Sequence, residues 1–349
     1  MKIVHVVYGL EFGGIETMLV NIVNEQVSMG YNVTILCINN HINDALRETI
    51  DKRVKFYCLG RPIGSKNPYY VLKFNYILYK LKADIIHIHT SSIIRYFILK
   101  NCYGKICLTK HDVKEDNYLH NYSNIYSISN TVKEYIKDEY KLDSKVIING
   151  INVQKIDSVK KRTCSDTFKI VQVSTLNHEI KGQHILIEAI KLVKEKGYNV
   201  IADFIGDGHS FDYLYNLTKE LGLEDNIKLL GTKSQKYIFE HLCEYNLFVQ
   251  PSIIEGFGLT VAEAMAAKIP VLVSENQGPL EIIDNGKYGY SFKNGDAKDC
   301  ADKIMNIIEQ GVDENMIEAA YKRVEENYSV KQTAINYINE YKKLVSLQD

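Results

Sequence analysis

Short apolar runs and amphipathic stretches alternate from the beginning of the chain. Lys2–Tyr8 is a nearly continuous run of apolar and β-branched residues, which is typical of a buried strand in a parallel sheet. A glycine-containing loop follows over Gly9–Gly14, then an amphipathic helix over Ile15–Met29 and a second strand over Asn32–Ile38. A strand, a helix and a strand within about thirty residues predict a βαβ unit with a right-handed crossover. We therefore expect an α/β fold built from doubly wound parallel sheets.

The same alternation starts again after a polar segment. Val153–Phe168 is charged and poorly periodic, which is typical of a linker between domains. A second series of strands and helices begins with the strand Lys169–Ser174, and Ser329–Leu347 reads as a final helix. The pattern predicts two Rossmann-like domains that face each other across a cleft. Their predicted bounds are residues 1–160 and 161–328, followed by a C-terminal helical segment over 329–349.

Length and charge agree with two soluble domains. A chain of 349 residues is too long for one ordinary core, and its 46% hydrophobic and 24% charged residues are typical of a globular protein. Residues 1–160 carry 21 Lys and Arg against 15 Asp and Glu, whereas the remainder carries 21 against 28. The basic first part suits an anionic membrane or acceptor, and the acidic remainder argues against nucleic acid as a main partner. Both distributions are equally compatible with ordinary solvated surfaces.

Cysteine usage and hydropathy indicate a cytoplasmic protein. The seven cysteines are scattered, odd in number and without a CxxC pair, which favours reduced thiols over a disulfide framework or a structural zinc site. The N-terminal apolar run is interrupted at once by glycines and a glutamate, so we interpret it as a strand and not as a signal peptide. No window reaches the roughly 18 to 20 apolar residues that span a bilayer, so we expect any membrane contact to be peripheral.

The richest stretch in candidate chemistry runs from Phe248 to Gly289. A strand ends near Val249, and Glu255 and a Gly-Phe-Gly turn follow it. The Ala-rich helix Leu259–Ala267 comes next and contains Glu263. A strand, a glycine turn and a helix N-terminus form an anion site, because unpaired amides and the positive end of the helix dipole meet there. Carboxylates beside a phosphate require hydroxyl donors, so the ligand should carry sugar hydroxyls as well as phosphate. The alternative is that both glutamates are solvated charges.

The same stretch resembles the nucleotide-sugar-binding segment of family 4 glycosyltransferases, which have the GT-B architecture. The resemblance is carried by Pro251-Ser252, Glu255-Gly256-Phe257-Gly258, Glu263-Ala264-Met265-Ala266, Pro270-Val271, and Gly278 with Glu281. It implies a retaining, metal-independent hexosyltransferase in which a leaving phosphate oxygen takes the acceptor proton. It also implies no cofactor besides a nucleoside diphosphate sugar as co-substrate, with a UDP-sugar favoured over a GDP-sugar.

The resemblance implies that the domain over residues 1–160 binds the acceptor and that the domain over 161–328 binds the nucleotide sugar. It also implies that the helical segment 329–349 returns to the N-terminal domain, and it assigns roles to particular residues. Lys181, in the loop after the strand Lys169–Ser174, matches the family's phosphate-binding lysine, and Glu255 and Glu263 would bind hydroxyls of the transferred sugar and of the ribose. His111, at the end of a strand, would contact a sugar hydroxyl or a phosphate. The implied catalytic residues are His111, Lys181 and Glu255. The implied donor-binding residues are Gly13, Gly14, Lys181, Gly256, Phe257, Gly258, Leu259, Thr260 and Glu263.

Two positions depart from the family's pattern. Thr175 stands where an arginine is usual, which is compatible with slower transfer, a relocated cation or an inactive relative. Lys268 stands where glycine is common.

His87 and His89 alternate along the strand Asp84–His89 and so share one face. We interpret them as structural, because no further metal ligands stand at a suitable spacing, and we expect no metal site.

The function that we predict is sugar transfer to a glycan or lipid-linked saccharide acceptor in surface polysaccharide synthesis, in the cytoplasm at the inner face of the plasma membrane. The segment Asn67–Lys82 is rich in Tyr, Phe, Leu and Lys, and is either an interfacial helix on anionic lipid or a core-packing helix. Two alternatives remain for the whole chain. One is a sugar-nucleotide epimerase on the same architecture, and the other is a catalytically weakened binding or scaffold protein, which Thr175 favours.

Overall fold

The apolar segments pair as parallel strands in two separate sheets. A computed structural model describes residues 1–346 except 12, 99–102, 157, 159–166 and 276–277. The chain divides into an N-terminal unit, Met1–Gly150 with Ser329–Asp349, and a C-terminal unit, Ile151–Tyr328. The boundary predicted at residue 160 lies outside the described residues.

The N-terminal unit contains a sheet whose strand order is β3-β2-β1-β4-β5-β6-β7. Its strands are β1 Lys2–Val7, β2 Asn32–Asn39, β3 Lys55–Arg61, β4 Ile85–Ile88, β5 Lys105–Lys110, β6 Ile125–Ser127 and β7 Lys145–Val146. Its helices are α1 Gly14–Ser28, α2 Asp44–Glu48, α3 Tyr69–Leu81, α4 Asn130–Tyr140 and α13 Val330–Ser346, with short 3-10 helices over Ser91–Tyr96 and Leu119–Asn121. The order reverses between β1 and β4, as in a doubly wound sheet.

The C-terminal unit repeats this topology with the order β10-β9-β8-β11-β12-β13, again all parallel. Its strands are β8 Phe168–Val173, β9 Val200–Ile205, β10 Ile227–Leu229, β11 Leu247–Gln250, β12 Val271–Ser274 and β13 Tyr290–Phe292. Its helices are α5 His178–Lys181, α6 Gln183–Glu195, α7 Phe211–Glu220, α8 Gln235–His241, α9 Leu259–Ala266, α10 Gly278–Ile282, α11 Ala297–Gln310 and α12 Glu314–Asn327, with 3-10 turns at Val153–Lys155 and Leu242–Glu244.

The final helix α13 belongs to the core of the N-terminal unit. It packs against α1, and Tyr337 and Tyr341 are fully buried in one cluster with Ile3 and Ile85 of the sheet. Burying two tyrosines requires partners for both hydroxyl groups. The hydroxyl of Tyr337 lies 2.9 Å from Thr109 Oγ1, and that of Tyr341 lies against His87 Nδ1.

Local sequence explains where several helices begin. Ser129 accepts a hydrogen bond from the Val132 amide at the start of α4, and Asp296 caps α11 through the Asp299 amide. Both are residue types that favour the N-cap because their side chains satisfy an otherwise unpaired amide. Within the described residues, no helix has both the length and the apolar character needed to cross a bilayer.

Candidate active site

Lys181 and Glu255 form an ion pair at the carboxyl edge of the C-terminal sheet. Lys181 ends the short helix α5 after β8, and Glu255 lies in the loop after β11, the strand that pairs with β8. The ammonium group contacts Glu255 Oε2, and both side chains are partly buried. The structure therefore brings together two of the three residues that the resemblance marks as catalytic.

Backbone contacts hold these two loops together. Ile253 and Ile254 both donate backbone hydrogen bonds to the carbonyl oxygen of Ile180, over 2.9 and 3.1 Å. Gly182 has a φ of +64°, and a Cβ there would collide with the carbonyl group of Pro251. Only glycine satisfies both conditions, so the Lys-Gly sequence lets the two loops approach closely.

The Gly-Phe-Gly turn is equally constrained. Gly258 has a φ of +95° and stands at the start of α9, where no side chain caps the helix. The amide of Gly278 donates a 2.9 Å hydrogen bond to the carbonyl oxygen of Glu255, and a Cβ on Gly278 would overlap the backbone of Gly256. Phe257 is buried and meets the ring of Tyr328 edge to face, with centroids 5.8 Å apart. The turn thus fixes the start of α9, whose first residues are Leu259 and Thr260, as an uncapped helix N-terminus.

Glu263 lies one turn further along α9 and is half-buried. Burial raises the pKa of its carboxyl group to about 8, because the charged form loses hydration. At pH 7 this group is therefore mostly protonated in the ligand-free protein. A carboxyl group in this state can both donate and accept hydrogen bonds, and ligand hydroxyl groups would favour its ionised form.

The two positions that depart from the family pattern have different surroundings. Thr175 is exposed in the loop after β8, and its carbonyl oxygen accepts a 2.9 Å hydrogen bond from Gln183 Nε2. Lys268 has a φ of +56°, which explains why glycine suits that position. Its ammonium group lies 2.7 Å from Glu318 and 4.5 Å from the ring centre of Tyr321, contacts that offset part of the backbone cost.

The Gly-Asp-Gly sequence after β9 has a packing role. A Cβ on Gly206 would collide with the carbonyl oxygen of Ser174, and one on Gly208 would collide with that of Leu176. The Leu176 amide also donates a 3.0 Å hydrogen bond to the Asp207 carbonyl oxygen. These glycines allow neighbouring loops to approach each other, so packing accounts for the Gly-Asp-Gly sequence.

His111 follows β5 in the N-terminal unit and is linked to other buried imidazoles. Its Nε2 lies 3.4 Å from His89 Nδ1, and its Nδ1 is buried without a hydrogen-bond partner in the described part of the chain. Burial lowers the pKa of His111 to about 4, so its ring is neutral at pH 7. An unpaired buried acceptor or donor is costly, and a ligand hydroxyl group would satisfy it.

The sequence alone did not reveal that His5 belongs with the buried histidines His87 and His89. Parallel pairing sets His5 of β1 beside His87 of β4, and ring nitrogens of His5, His87 and His89 lie within 4.8 Å of one another. All six of their ring nitrogens have hydrogen-bond partners, among them Gln26, Thr109 and Tyr341. Hydrogen bonding thus accounts for the cluster. The missing signal was the pairing of distant strands, which no local spacing reveals.

With Gln26 Oε1 facing His5, the hydrogen bonds indicate which nitrogen carries the proton in His5, His89 and His111. Gln26 Oε1 lies 2.9 Å from His5 Nε2, so that nitrogen donates. His5 Nδ1 then accepts from His89 Nε2 over 3.0 Å, and His89 Nδ1 accepts from His111 Nε2. Since all of these rings are neutral, His111 Nδ1 keeps a lone pair. His111 therefore offers a hydrogen-bond acceptor to a ligand.

Gly13 and Gly14 lie at the N-terminus of α1. Gly13 is extended, with a φ of −151°, and provides no side-chain cap. A Cβ on Gly14 would meet no atom within 4 Å. Neither backbone strain nor packing within the described residues requires glycine at position 14, which leaves space for a ligand at this helix end.

Comparisons with known proteins match nearly the whole chain. The family model described as "Glycosyltransferase Family 4" matches residues 12–155, and the model "Glycosyl transferases group 1" matches residues 153–323. The capsular polysaccharide biosynthesis glycosyltransferase CapM of Staphylococcus aureus is 31% identical over 195 residues, which is 52% of this chain and 49% of that protein. The amylovoran biosynthesis glycosyltransferase AmsK of Erwinia amylovora is 30% identical over 164 residues, 45% of this chain and 40% of that protein. The matches span less than half the length of these curated relatives.

Solved structures match the fold over nearly its full length. A glycosyltransferase from Rickettsia africae superposes with a TM-score of 0.81 at 23% identity, covering 99% of this chain and 98% of the other. HepE from Anabaena, in complex with UDP and glucose, superposes with a TM-score of 0.80 at 20% identity, covering 98% and 99%. These likenesses establish two Rossmann-like domains of the GT-B fold. The two family models, which together span residues 12–323, show that the chain belongs to family 4 of the glycosyltransferases.

Proposed function

We propose that this protein transfers a sugar from a nucleoside diphosphate donor to a saccharide acceptor in surface polysaccharide synthesis. The observation that carries the proposal is the ion pair between Lys181 and Glu255 beside the uncapped start of α9. A cation, backbone amides and a carboxylate at one strand edge suit a ligand that carries phosphates and hydroxyl groups. The relatives named for capsule and amylovoran synthesis support the same activity.

The donor site is assigned to the C-terminal unit. Lys181 and the amides of Phe257, Leu259 and Thr260 would bind the diphosphate, whose developing charge they stabilise in the transition state. Glu255 would accept hydrogen bonds from hydroxyl groups of the transferred sugar, and Glu263 from those of the ribose. The presence of UDP with HepE supports a UDP-sugar as the donor.

The transfer is proposed to retain the anomeric configuration. The bond from the anomeric carbon to the phosphate oxygen breaks while a bond to the acceptor oxygen forms on the same face. The acceptor hydroxyl proton passes to the departing phosphate oxygen, so no carboxylate base is needed. His111, with its Nδ1 lone pair, is proposed to hold a saccharide hydroxyl group by accepting its hydrogen bond. Because Lys181 and amides supply the positive charge, we propose hexosyl transfer without a metal ion.

A membrane surface is the proposed place of action. Tyr69, Leu72, Tyr76 and Tyr79 are spaced three or four residues apart along α3 and are 55 to 66% exposed, whereas Phe74 and Leu78 are buried on the other side of the helix. Lys73 and Lys80 lie beside this aromatic face, which suits the headgroups of anionic lipid. We propose peripheral binding at the inner face of the plasma membrane. Equal binding of wild type and Leu72→Glu to phosphatidylglycerol vesicles would contradict it.

The central test uses Glu255→Ala with Glu195→Ala as the matched control. Glu195 is exposed on α6 of the same unit and pairs only with Lys191 among the described residues. We expect Glu255→Ala to lower transfer by about a hundredfold or more while the unfolding temperature stays close to that of the wild type. NMR of the product should show the donor's anomeric configuration, and EDTA should leave the rate unchanged. Full transfer by Glu255→Ala would contradict the site.

A second candidate is a binding or scaffold protein with a weakened donor site, and exposed Thr175 favours it. A neutral hydroxyl group there replaces a bidentate cation that would stabilise a phosphate. The two candidates differ in nucleotide binding. Stabilisation by one nucleoside diphosphate, lost in Glu263→Ala, supports the transferase, whereas no stabilisation by any nucleotide supports the scaffold.

A further inference from the structure

A cavity of about 760 Å³ opens at the carboxyl edge of the N-terminal sheet, and its lining includes none of the catalytic or donor-binding residues named above. Tyr8, Asn39 and Arg61 reach it from the ends of β1, β2 and β3, and the 3-10 helix after β4 adds Arg95 and Tyr96. These four strands are neighbours, and the strand order reverses between β1 and β4. Doubly wound sheets bind ligands at such a reversal.

The charge of this cavity is one-sided. Arg61, Arg95 and Lys66 line it, and none of its lining residues is acidic. Among the described residues, no ion pair joins these three cations to a carboxylate. Cations gathered in a concave surface repel one another and lose hydration, so an anionic ligand would be stabilising there.

Arg61 is held in place before any ligand arrives. Its Nη1 donates to Asn39 Oδ1 over 3.0 Å, its Nη2 donates to the Ser65 carbonyl oxygen, and its guanidinium lies 6.0 Å from the ring centre of Tyr96. These contacts use two of the five N–H groups of an arginine within the described part of the chain. A half-buried, oriented guanidinium with spare donors is suited to a bidentate bond with an oxyanion.

Polar and aromatic groups surround the cations. The hydroxyl group of Tyr8 lies 3.0 Å from Ser92 Oγ, and the rings of Tyr8 and Tyr96 meet edge to face. Burial raises the pKa of Tyr96, so its hydroxyl group stays neutral. Aromatic faces and neutral hydroxyl groups suit a saccharide ring, and Arg95, 3.3 Å from the Tyr118 hydroxyl, lies at the exposed side.

We infer that the acceptor is a saccharide that carries a phosphate or carboxylate group, and that Arg61 and Arg95 of this cavity hold that group. The inference rests on the proposed transferase function and adds to it the chemical class of the acceptor. A lipid-linked saccharide phosphate and a soluble acidic sugar share this chemistry. Neutral saccharides of the same shape would leave the two guanidinium groups without an anion.

The test is calorimetric titration of the full chain saturated with UDP, so that the donor phosphate site is already filled. The probes are glucose 6-phosphate, glucuronate and glucose, followed by farnesyl diphosphate against inorganic diphosphate. We expect the acidic sugars to bind at least about tenfold more tightly than glucose, with a preference that weakens as salt is raised. Tighter binding of farnesyl diphosphate than of diphosphate would assign the lipid-linked source, and the reverse order the soluble one.

Variants locate the binding. Arg61→Gln with Arg95→Gln should remove the preference for acidic sugars, and Arg61→Lys should retain part of it. The matched control is Arg53→Gln, because Arg53 is a surface arginine of the same unit paired with Asp51. Equal affinity for glucose and the acidic sugars, or an Arg61 and Arg95 double variant that behaves like Arg53→Gln, would overturn the inference. UDP titration of each sample distinguishes a failure of the donor site from a failure of this inference. If the wild type does not bind UDP, the donor site alone is contradicted.

Discussion

The two units use the same strand order to present different chemistry. In the C-terminal unit, the loops at the carboxyl edge are joined by close backbone contacts at Gly182 and Gly278. Lys181 and Glu255 of these loops form an ion pair. In the N-terminal unit, the corresponding edge carries neutral imidazoles and arginines without carboxylate partners in the described chain. Topology therefore fixes where a ligand can bind, and the residues directly after the strands fix its charge.

The difference extends to how each edge is supported. The C-terminal turn needs glycines because neighbouring backbones nearly touch, so its geometry is set by the main chain. His111 is supported by side chains, through a chain of hydrogen bonds that ends at Gln26. A main-chain support tolerates few substitutions at the glycines, whereas a side-chain support depends on protonation.

Lys181→Met should produce the largest effect, because it removes the cation that we propose binds the diphosphate. We expect kcat/KM to fall by about a hundredfold to a thousandfold. Lys191→Met is the matched control, since Lys191 pairs with Glu195 on the exposed side of α6. Steady-state kinetics with a UDP-sugar measures both. Equal kcat/KM in the two variants would show that Lys181 contributes no more to transfer than a surface lysine. The proposed difference between the carboxyl edges of the two sheets would then be lost.

Acid should destabilise the N-terminal unit through its buried histidines. The pKa of His5 is lowered to about 4 in the folded chain, against 6.5 when unfolded, so the unfolded state binds more protons between these values. Stability should therefore fall as pH drops from 6.5 to 4, by about 3 kcal/mol for this residue. His87, His89 and His111 act in the same direction. Glu263 belongs to the C-terminal unit, and its raised pKa makes that unit more stable as pH falls from 8 to 4.5.

Urea unfolding across this pH range measures the effect. His120→Gln serves as the control, because it removes an exposed histidine of the same unit that lies outside the buried cluster. In a Glu263→Gln background, which removes the opposing titration, a free energy of unfolding that is flat from pH 6.5 to 4 would show that the buried rings titrate as they do in the unfolded chain.

Thr175→Arg should strengthen phosphate binding at the carboxyl edge of the C-terminal sheet. An arginine there adds a bidentate donor for a phosphate, and we expect donor affinity to rise about tenfold. Asn306→Arg, which adds the same charge on the exposed side of α11, should change nothing. UDP titration distinguishes the two variants. If Thr175→Arg binds no better than Asn306→Arg, the phosphate lies elsewhere than this loop.

The smallest predicted effect is a proton released when UDP binds. Glu263 is mostly protonated at pH 7 because its pKa is about 8, and ribose hydroxyl groups would favour the ionised form. Binding should therefore release about one proton at pH 7, and affinity should rise as pH approaches 8. Calorimetry in two buffers of different ionisation enthalpy counts the proton. Glu263→Gln should abolish the release and Glu220→Gln should keep it.

The sequence predicts the central strands and the donor loop well, because their signals are local. The run Lys2–Tyr8 predicts the strand that is observed over Lys2–Val7, and the pattern over Ile15–Met29 predicts the helix that is observed over Gly14–Ser28. The motif around Glu255 and Glu263 is likewise contiguous. The roles of these residues stay predictions, since the fold places them without a ligand.

Nonlocal pairing limits what the sequence can reveal. The edge strand β3, Lys55–Arg61, was not predicted because its exposed and buried residues do not form an apolar run. Arg61 at its end, and with it the basic cavity, was therefore missed. His5 joins His87 only through the pairing of β1 with β4, 82 residues apart in register. Such contacts follow from topology, which composition and periodicity do not specify.

The interrupted N-terminal unit has a consequence for synthesis on the ribosome. Its core includes Tyr337 and Tyr341, which are translated about 190 residues after Gly150. At about 5 to 20 residues per second, this part of the chain would wait roughly 10 to 40 s for the helix that covers it, while the continuous C-terminal unit emerges and folds without interruption. During that interval Ile3, Ile22 and Ile85 lack the helix that buries them. Nascent chains stalled before residue 330 should therefore bind chaperones that recognise exposed apolar surface.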